Sequence, residues 1–139
     1  MRAQGIGEIL TPLNPLEKGY FVLAKADSKP STAEMYKRLD NEKFDLPDTE
    51  SAIKAHENKD VKKLTELMEN SFVSVWGESK LKQILASFSA DGVSLSGSGP
   101  TWFAYFTNRK KALRAYRSLK AQNIECYFAR PKNSAIEIE

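Results

Sequence analysis

The amino-acid sequence predicts an α+β domain of the ferredoxin-like type. This fold has a split βαβ pattern and a four-stranded antiparallel sheet with helices on one face, here with a helical insertion. Two observations favour it. Four short runs rich in aromatic and β-branched residues have the composition of strands, and a Gly/Ser loop separates the second run from the third. Helical patterns follow the first and the third run, which gives the order strand, helix, strand, strand, helix, strand.

The four predicted strands are assigned from their composition and from the turn residues that flank them. They cover residues 19–25, 92–95, 101–106 and 124–129. Alternate side chains of a strand face opposite sides of the sheet, so the aromatic third strand should place one set in the core. Cys126 lies in the last strand and is predicted to be a small packed side chain.

The helices are predicted from apolar spacing and from residues that favour helix N-termini. Ser31 or Thr32 caps the first helix, in which Met35, Tyr36 and Leu39 are predicted to share one face. The remaining helical patterns cover residues 50–55, 61–72, 78–88 and 108–122. The three patterns between residues 50 and 88 form the predicted insertion.

The two ends of the chain are less regular. Residues 5–13 are predicted to form an extended segment, which prolines at positions 12 and 15 interrupt. The tail after Pro131 is polar and is expected to fray. A chain of 139 residues fits one domain, so residues 1–139 are treated as a single unit.

Composition excludes several classes of protein. One cysteine rules out an internal disulfide, and one cysteine with one histidine argues against a zinc site. No apolar run reaches the roughly 18 residues that a membrane span needs. The net charge of +3 gives no strong argument for nucleic acid. The N-terminus lacks the apolar core of a signal peptide, and the protein is expected to be cytoplasmic.

The stretch SLSGSGPTWF contains the loop between the second and third strands. Gly97 and Gly99 remove side chains that would keep a partner at a distance, and both permit a positive φ. Ser98 lies between them, and Pro100 and Thr101 lead into the strand. The residues alone allow a plain hairpin turn or an anion-binding loop. The loop is not a Walker A sequence, because no Lys-Ser or Lys-Thr pair follows it.

Other candidate features have simple structural interpretations. The basic residues of the last helix are typical of a solvated outer face. No pair of carboxylates is placed for general acid–base work, and no nucleophile has a neighbouring base. From its residues alone the chain is an α+β domain with one Gly/Ser loop of interest.

Three segments together resemble one family. They are GIGEILTPL at residues 5–13, STAEMY at residues 31–36 and SGSGPTWFAYF at residues 96–106. In this order and spacing they resemble the GHMP kinase superfamily, in which the Gly-Ser-Gly-Pro-Thr loop is the third motif. Within this superfamily, the first segment is similar to the corresponding stretch of the kinases that act on 4-diphosphocytidyl-2-C-methyl-D-erythritol in non-mevalonate isoprenoid biosynthesis.

The resemblance implies an activity for a longer protein. Such a kinase would transfer the γ-phosphate of ATP, with Mg²⁺, to the 2-hydroxyl of its substrate. The matched segments resemble only the C-terminal half of the family, whose N-terminal ATP-binding domain bears the phosphate loop and the catalytic groups. No catalytic residue or metal ligand is therefore assigned to residues 1–139, and the chain alone is expected to lack kinase activity.

The resemblance also implies roles for individual residues. Gly97, Ser98, Gly99, Pro100 and Thr101 would pack against the phosphate loop and complete the ATP site. The resemblance also concerns two residues of the first helix. Tyr36 is either a ring that stacks on the cytosine of the substrate or a core residue, and Thr32 either binds substrate or caps the helix. Residues 69–72, ENSF, depart from the Asn-Asp-Leu-Glu stretch of relatives, which leaves the role of that stretch open.

Two alternatives remain at this point. A ferredoxin-like RNA-binding module shares the strand order and would use the aromatic side chains of the third strand. Another GHMP kinase, such as homoserine kinase, would share the loop. Under the kinase interpretation the partners are the N-terminal kinase domain and a small-molecule substrate, with no nucleic acid or membrane. An apolar face left by an absent domain would allow a homodimer.

Overall fold

The computed structural model of the chain describes residues 1–16, 18–43 and 46–132. Within them the strands are β1 (Arg2–Gln4), β2 (Ile9–Thr11), β3 (Tyr20–Lys25), β4 (Gly92–Leu95), β5 (Thr101–Phe106) and β6 (Cys126–Ala129). The helices are α1 (Thr32–Asn41), α2 (Thr49–Glu57), α3 (Val61–Glu66), α4 (Phe72–Trp76), α5 (Lys80–Ser87) and α6 (Arg109–Ala121).

Four strands form the main sheet, in the order β4-β5-β3-β6, and every neighbouring pair is antiparallel. Strand β3 lies in the interior, where Val22 is paired with Ala104 on one side and with Phe128 on the other. This order is that of the split βαβ arrangement, and the α+β prediction is confirmed. The predicted first, second and third strands agree with β3, β4 and β5 to within one residue, whereas the last begins two residues later than predicted, at Cys126.

The core lies between one face of this sheet and the helices α5 and α6. The buried side chains on that face of the sheet are fully enclosed, as are the residues of α6 that approach them; they are Val22, Ala24, Trp102, Ala104, Phe106, Ala112, Ala115 and Leu119. Alanines on α6 let the helix approach the sheet closely, so large rings such as Trp102 can fill the remaining space. Cys126 is buried there as predicted, and burial raises the pKa of its thiol.

The N-terminal prediction was wrong in one respect. Residues 5–13 do not form one extended segment, because β1 pairs with β2 in an antiparallel hairpin. Gly5 and Gly7 lie in the turn with φ of +66° and +103°, values that residues other than glycine rarely adopt. The ion pair between Arg2 and Glu50 joins this hairpin to α2.

The insertion also differs from the sequence expectation. The pattern at residues 61–72 predicts one helix, but α3 ends at Glu66 and a separate helix begins at Phe72. Between them Asn70 accepts a hydrogen bond from the Phe72 amide through its side-chain oxygen, at 2.9 Å. The apolar period continues across this break because both short helices lie against strand β4. Helix α2 is longer than predicted, and α5 begins two residues later.

Helix α2 provides a test of pH dependence. Asp48 caps it, accepting from the Ser51 amide at 3.0 Å, and hydrogen bonds from the Ser51 side chain and backbone hold the pKa of this carboxyl below its usual range. The capping contribution to stability is therefore present above the ordinary carboxyl pKa and is lost as the pH falls through the lower, folded value. We expect an NMR titration to find the Asp48 midpoint below the usual range.

The matched variant for this titration is Ser51→Ala, which removes the side-chain donor and keeps the backbone one. We expect it to move the Asp48 midpoint upward toward the ordinary value. An unchanged midpoint would show that the Ser51 hydroxyl is not the cause.

Candidate functional site

The loop between β4 and β5 is tightly closed. The Ser96 amide donates to the Thr101 carbonyl at 2.8 Å, and the Gly99 amide donates to the Ser96 carbonyl at 2.9 Å. Gly97 and Gly99 have φ of +54° and +82°, as their positions in the loop predict. The two glycines thus give the chain a conformation that other residues would strain.

The surroundings of these two glycines differ. A Cβ at Gly99 would lie 2.3 Å from the ring of Trp76, so the loop backbone rests directly on that ring. A Cβ at Gly97 would meet no atom within 4 Å. Trp76 in turn contacts the buried Trp102 edge to face, with the ring centroids 6.1 Å apart. One side of the loop is therefore seated on the core and the other is open to a partner.

Asn70 holds the loop from the insertion. Its side-chain nitrogen donates to the carbonyls of Leu95 and Gly97, at 2.6 and 3.0 Å, while its oxygen accepts from Phe72. The amide thereby joins the end of β4, the loop and the start of α4. Sequence analysis identified residues 69–72 only as a departure from relatives. The contacts of Asn70 with Leu95 and Gly97 join residues far apart in the chain, so no local sequence pattern predicts them.

The first turn of α1 and the residues before it contact the loop at Ser98 and Pro100. Lys29 donates from Nζ to the hydroxyls of Thr32 and Ser98, at 3.1 and 3.2 Å, and those two hydroxyls lie 3.2 Å from each other. The Ala26 amide also donates to the Pro100 carbonyl at 3.1 Å. Two of the three segments on which the sequence resemblance rests are therefore in direct contact, and Lys29 is a member of the cluster that sequence analysis did not find.

The two possible roles of Thr32 are now separated. The hydroxyl of Ser31 accepts from the Glu34 amide at 3.1 Å, which makes Ser31 the N-cap of α1. Thr32 does not cap the helix, so its side chain is available for the contacts with Lys29 and Ser98. That Thr32 binds substrate stays a prediction.

Tyr36 lies one helical turn after Thr32, and 54% of its surface is exposed. Of the three residues predicted to share one face of this helix, Met35 is fully buried, Leu39 is partly buried and Tyr36 is exposed, so the sheltered part of the face stops short of Tyr36. The ring of Tyr36 packs edge to face on Phe72, with centroids 4.9 Å apart. This contact fixes the ring while leaving much of it accessible, which an aromatic platform for a base requires.

An opening beside Asn70 lies outside this group of residues. It is a cleft of about 580 Å³ between the α3–α4 connection and β4, with Asn70, Lys82 and Ser94 in its lining. Neither Thr32 nor Tyr36 lines it. The candidate site is consequently the open surface formed by the loop and the exposed face of α1, and not this cleft.

Two further properties bear on its chemistry. In residues 1–16, 18–43 and 46–132, no three side chains of His, Cys, Asp or Glu are grouped so that they could hold a metal ion. The same ranges contain no helix with the length and apolar character to cross a membrane. The site offers hydroxyl and ammonium donors, which suit an anion, beside an aromatic ring.

Comparison with known proteins assigns a family to this arrangement. The model described as GHMP kinases C terminal matches residues 52–125. A 4-diphosphocytidyl-2-C-methyl-D-erythritol kinase of Clostridium tetani is 36% identical over 133 residues, which is 91% of this chain and 48% of the relative. The enzyme of that name from Alkaliphilus metalliredigens is 38% identical over 123 residues, 84% of this chain and 42% of the relative. The chain thus spans about half the length of the curated relatives that it matches.

Among solved structures, one of a 4-(cytidine 5'-diphospho)-2C-methyl-D-erythritol kinase superposes with a TM-score of 0.71. It is 22% identical in sequence, and the match covers 95% of this chain and 49% of that one. At this identity the likeness establishes the fold alone. It agrees with the four-stranded antiparallel sheet described above.

Proposed function

The chain belongs to the GHMP kinase family, as a C-terminal domain of that family, and on this premise we propose a function for the protein of which it forms part. That protein transfers the γ-phosphate of ATP to the 2-hydroxyl of 4-diphosphocytidyl-2-C-methyl-D-erythritol, in isoprenoid biosynthesis. The names of the two relatives and the extent of their match to this chain support this proposal. The family match favours it over the RNA-binding alternative.

The observation that carries the proposal is the contact between Thr32 and Ser98, 3.2 Å apart. It joins the Gly/Ser loop to the helix that presents Tyr36. Phosphoryl transfer depends on positioning two substrates and on stabilising charge. In the proposed protein residues 97–101 complete the phosphate side of the site, and Tyr36 stacks on the cytosine, a contact worth about 1–3 kcal/mol for a base on an aromatic ring.

ATP is held in this proposal mainly by residues outside residues 1–139. Mg²⁺ accompanies it, as in phosphoryl transfer generally. The described residues do not fit a metal ion, since they lack a group of three ligating side chains. We therefore assign no step to the metal within this chain.

A chimera tests the proposal. The chain replaces the matched 48% of the Clostridium tetani kinase, and ATP-dependent phosphorylation is measured with 4-diphosphocytidyl-2-C-methyl-D-erythritol, homoserine and mevalonate as acceptors. We expect turnover with the first acceptor only, and none for the 139-residue chain assayed by itself. A folded chimera that prefers homoserine would refute the substrate and support another member of the family.

A further inference from the structure

Lys29 is placed differently from the other basic residues whose contacts are described. Ion pairs with a glutamate are formed by Arg2, Lys25, Arg38 and Lys63, and positions over an aromatic ring are taken by Lys82, Lys120 and Arg130. Lys29 is half-buried, and in the described part of the chain its ammonium is paired with no carboxylate; its contacts are the hydroxyls of Thr32 and Ser98. Because neutral hydroxyls do not offset the charge of this ammonium group, the group can still attract an anionic ligand.

The three polar groups can act on one ligand together. The Lys29 Nζ and the two hydroxyl oxygens form a triangle with sides of 3.1, 3.2 and 3.2 Å. Each of the three can donate a hydrogen bond, and a phosphate oxygen accepts several. Thr32 is exposed, and the loop beside it is open at Gly97, so an anion can reach the triangle from solvent.

The distance from this triangle to Tyr36 indicates which phosphate fits. Thr32 and Tyr36 are four residues apart on α1, so they lie on the same face with Cβ atoms about 5–6 Å apart. A ribose separates the base from the phosphates of a nucleoside diphosphate by a similar span. We infer that Lys29, with Thr32 and Ser98, is a binding site for the diphosphate of a cytidine diphosphate ligand whose base lies on Tyr36. The inference rests on the proposed function and adds Lys29 as a determinant of specificity.

Binding of simple probes to the 139-residue chain tests the inference. Amide chemical shifts are followed during titration with cytidine, cytidine monophosphate and cytidine diphosphate. We expect cytidine diphosphate to bind about tenfold more tightly than cytidine, as a charge-assisted contact supplies. The preference should weaken as salt is raised. Lys29→Gln should abolish it and leave cytidine binding unchanged, whereas Lys29→Arg should retain most of it.

Lys37→Gln is the matched control, because it removes an exposed lysine of α1, the helix that follows Lys29. It should keep the preference for the diphosphate. Equal binding of cytidine and cytidine diphosphate by the unaltered chain would overturn the inference and leave the cytosine site of the proposed function standing. Equal loss in both lysine variants would also overturn it, since the effect would then be one of net charge.

Two other outcomes are informative. One distinguishes the substrate from ATP as the source of the phosphate, and the other distinguishes failure of this inference from failure of the proposed function. Adenosine diphosphate bound as tightly as cytidine diphosphate, with the same dependence on Lys29, would assign the triangle to the ATP phosphates and overturn the inference. Failure of all three cytidine compounds to bind at millimolar concentration would contradict the substrate site of the proposed function itself, and the inference with it. Tyr36→Ala, which should weaken all three, reports on the base alone.

Discussion

Gly99→Ala is expected to lower the free energy of unfolding by about 2–6 kcal/mol. Part of the loss, about 1–3 kcal/mol, is backbone strain, because alanine must adopt the φ of +82°. The rest, again about 1–3 kcal/mol, comes from overpacking, since the new methyl group would lie 2.3 Å from the Trp76 ring. Urea denaturation of the chain measures the total.

Gly97→Ala is the matched control for this prediction. It carries the same kind of strain, with φ of +54°, but its methyl group would meet no atom within 4 Å. We therefore expect it to cost about 1–2 kcal/mol, from the left-handed conformation alone. Equal losses in the two alanine variants would show that contact with Trp76 is not what restricts position 99.

A double variant separates the two causes further. Trp76→Leu removes the ring that the new methyl group would strike, so Gly99→Ala should be less destabilising in that background than in the unaltered chain. Residues in contact show such coupling, whereas distant ones add independently. Additive losses would contradict a direct contact between the loop and the ring.

The main sheet was predictable because its signals are local. Tyr20–Lys25 and Thr101–Phe106 are short aromatic and β-branched runs between turn residues, and their register follows from the faces that they bury. The insertion was predicted less well for a related reason. Leu67, Met68 and Phe72 continue a helical period, yet the helix is interrupted in the connection that contains Asn70. The hydrogen bonds of the Asn70 side chain depend on a loop that is distant in sequence.

The candidate site was predictable only in its glycines and in its neighbouring helix. A positive φ at Gly97 and Gly99 follows from the residue type and the tight connection. The contact between Lys29 and Ser98 joins residues 69 positions apart, so no sequence pattern reports it. The exposure of Tyr36 was equally out of reach, because the choice between Met35 and Tyr36 as the buried residue depends on how α1 is rotated against α4.

Asn70→Ala is expected to destabilise the protein and to loosen the loop. It removes the donor to the Leu95 and Gly97 carbonyls and the acceptor for the Phe72 amide. Leaving such partly buried backbone groups unpaired costs about 1–3 kcal/mol. Hydrogen exchange at the Gly99 amide, which closes the loop by donating to Ser96, should become faster. In the chimera the rate of phosphoryl transfer should fall, because the loop is no longer held in one position.

Asn70→Asp gives the sharper test, because aspartate has nearly the shape of asparagine. It keeps an oxygen for the Phe72 amide but turns a second oxygen toward the Leu95 and Gly97 carbonyls, where only a donor fits. We expect it to be at least as destabilising as alanine near neutral pH and less so once the carboxyl is protonated. Glu69→Gln, an exposed neighbour, should change stability by less than about 0.5 kcal/mol. An aspartate variant as stable as the unaltered chain would mean that the amide nitrogen does not hold the loop.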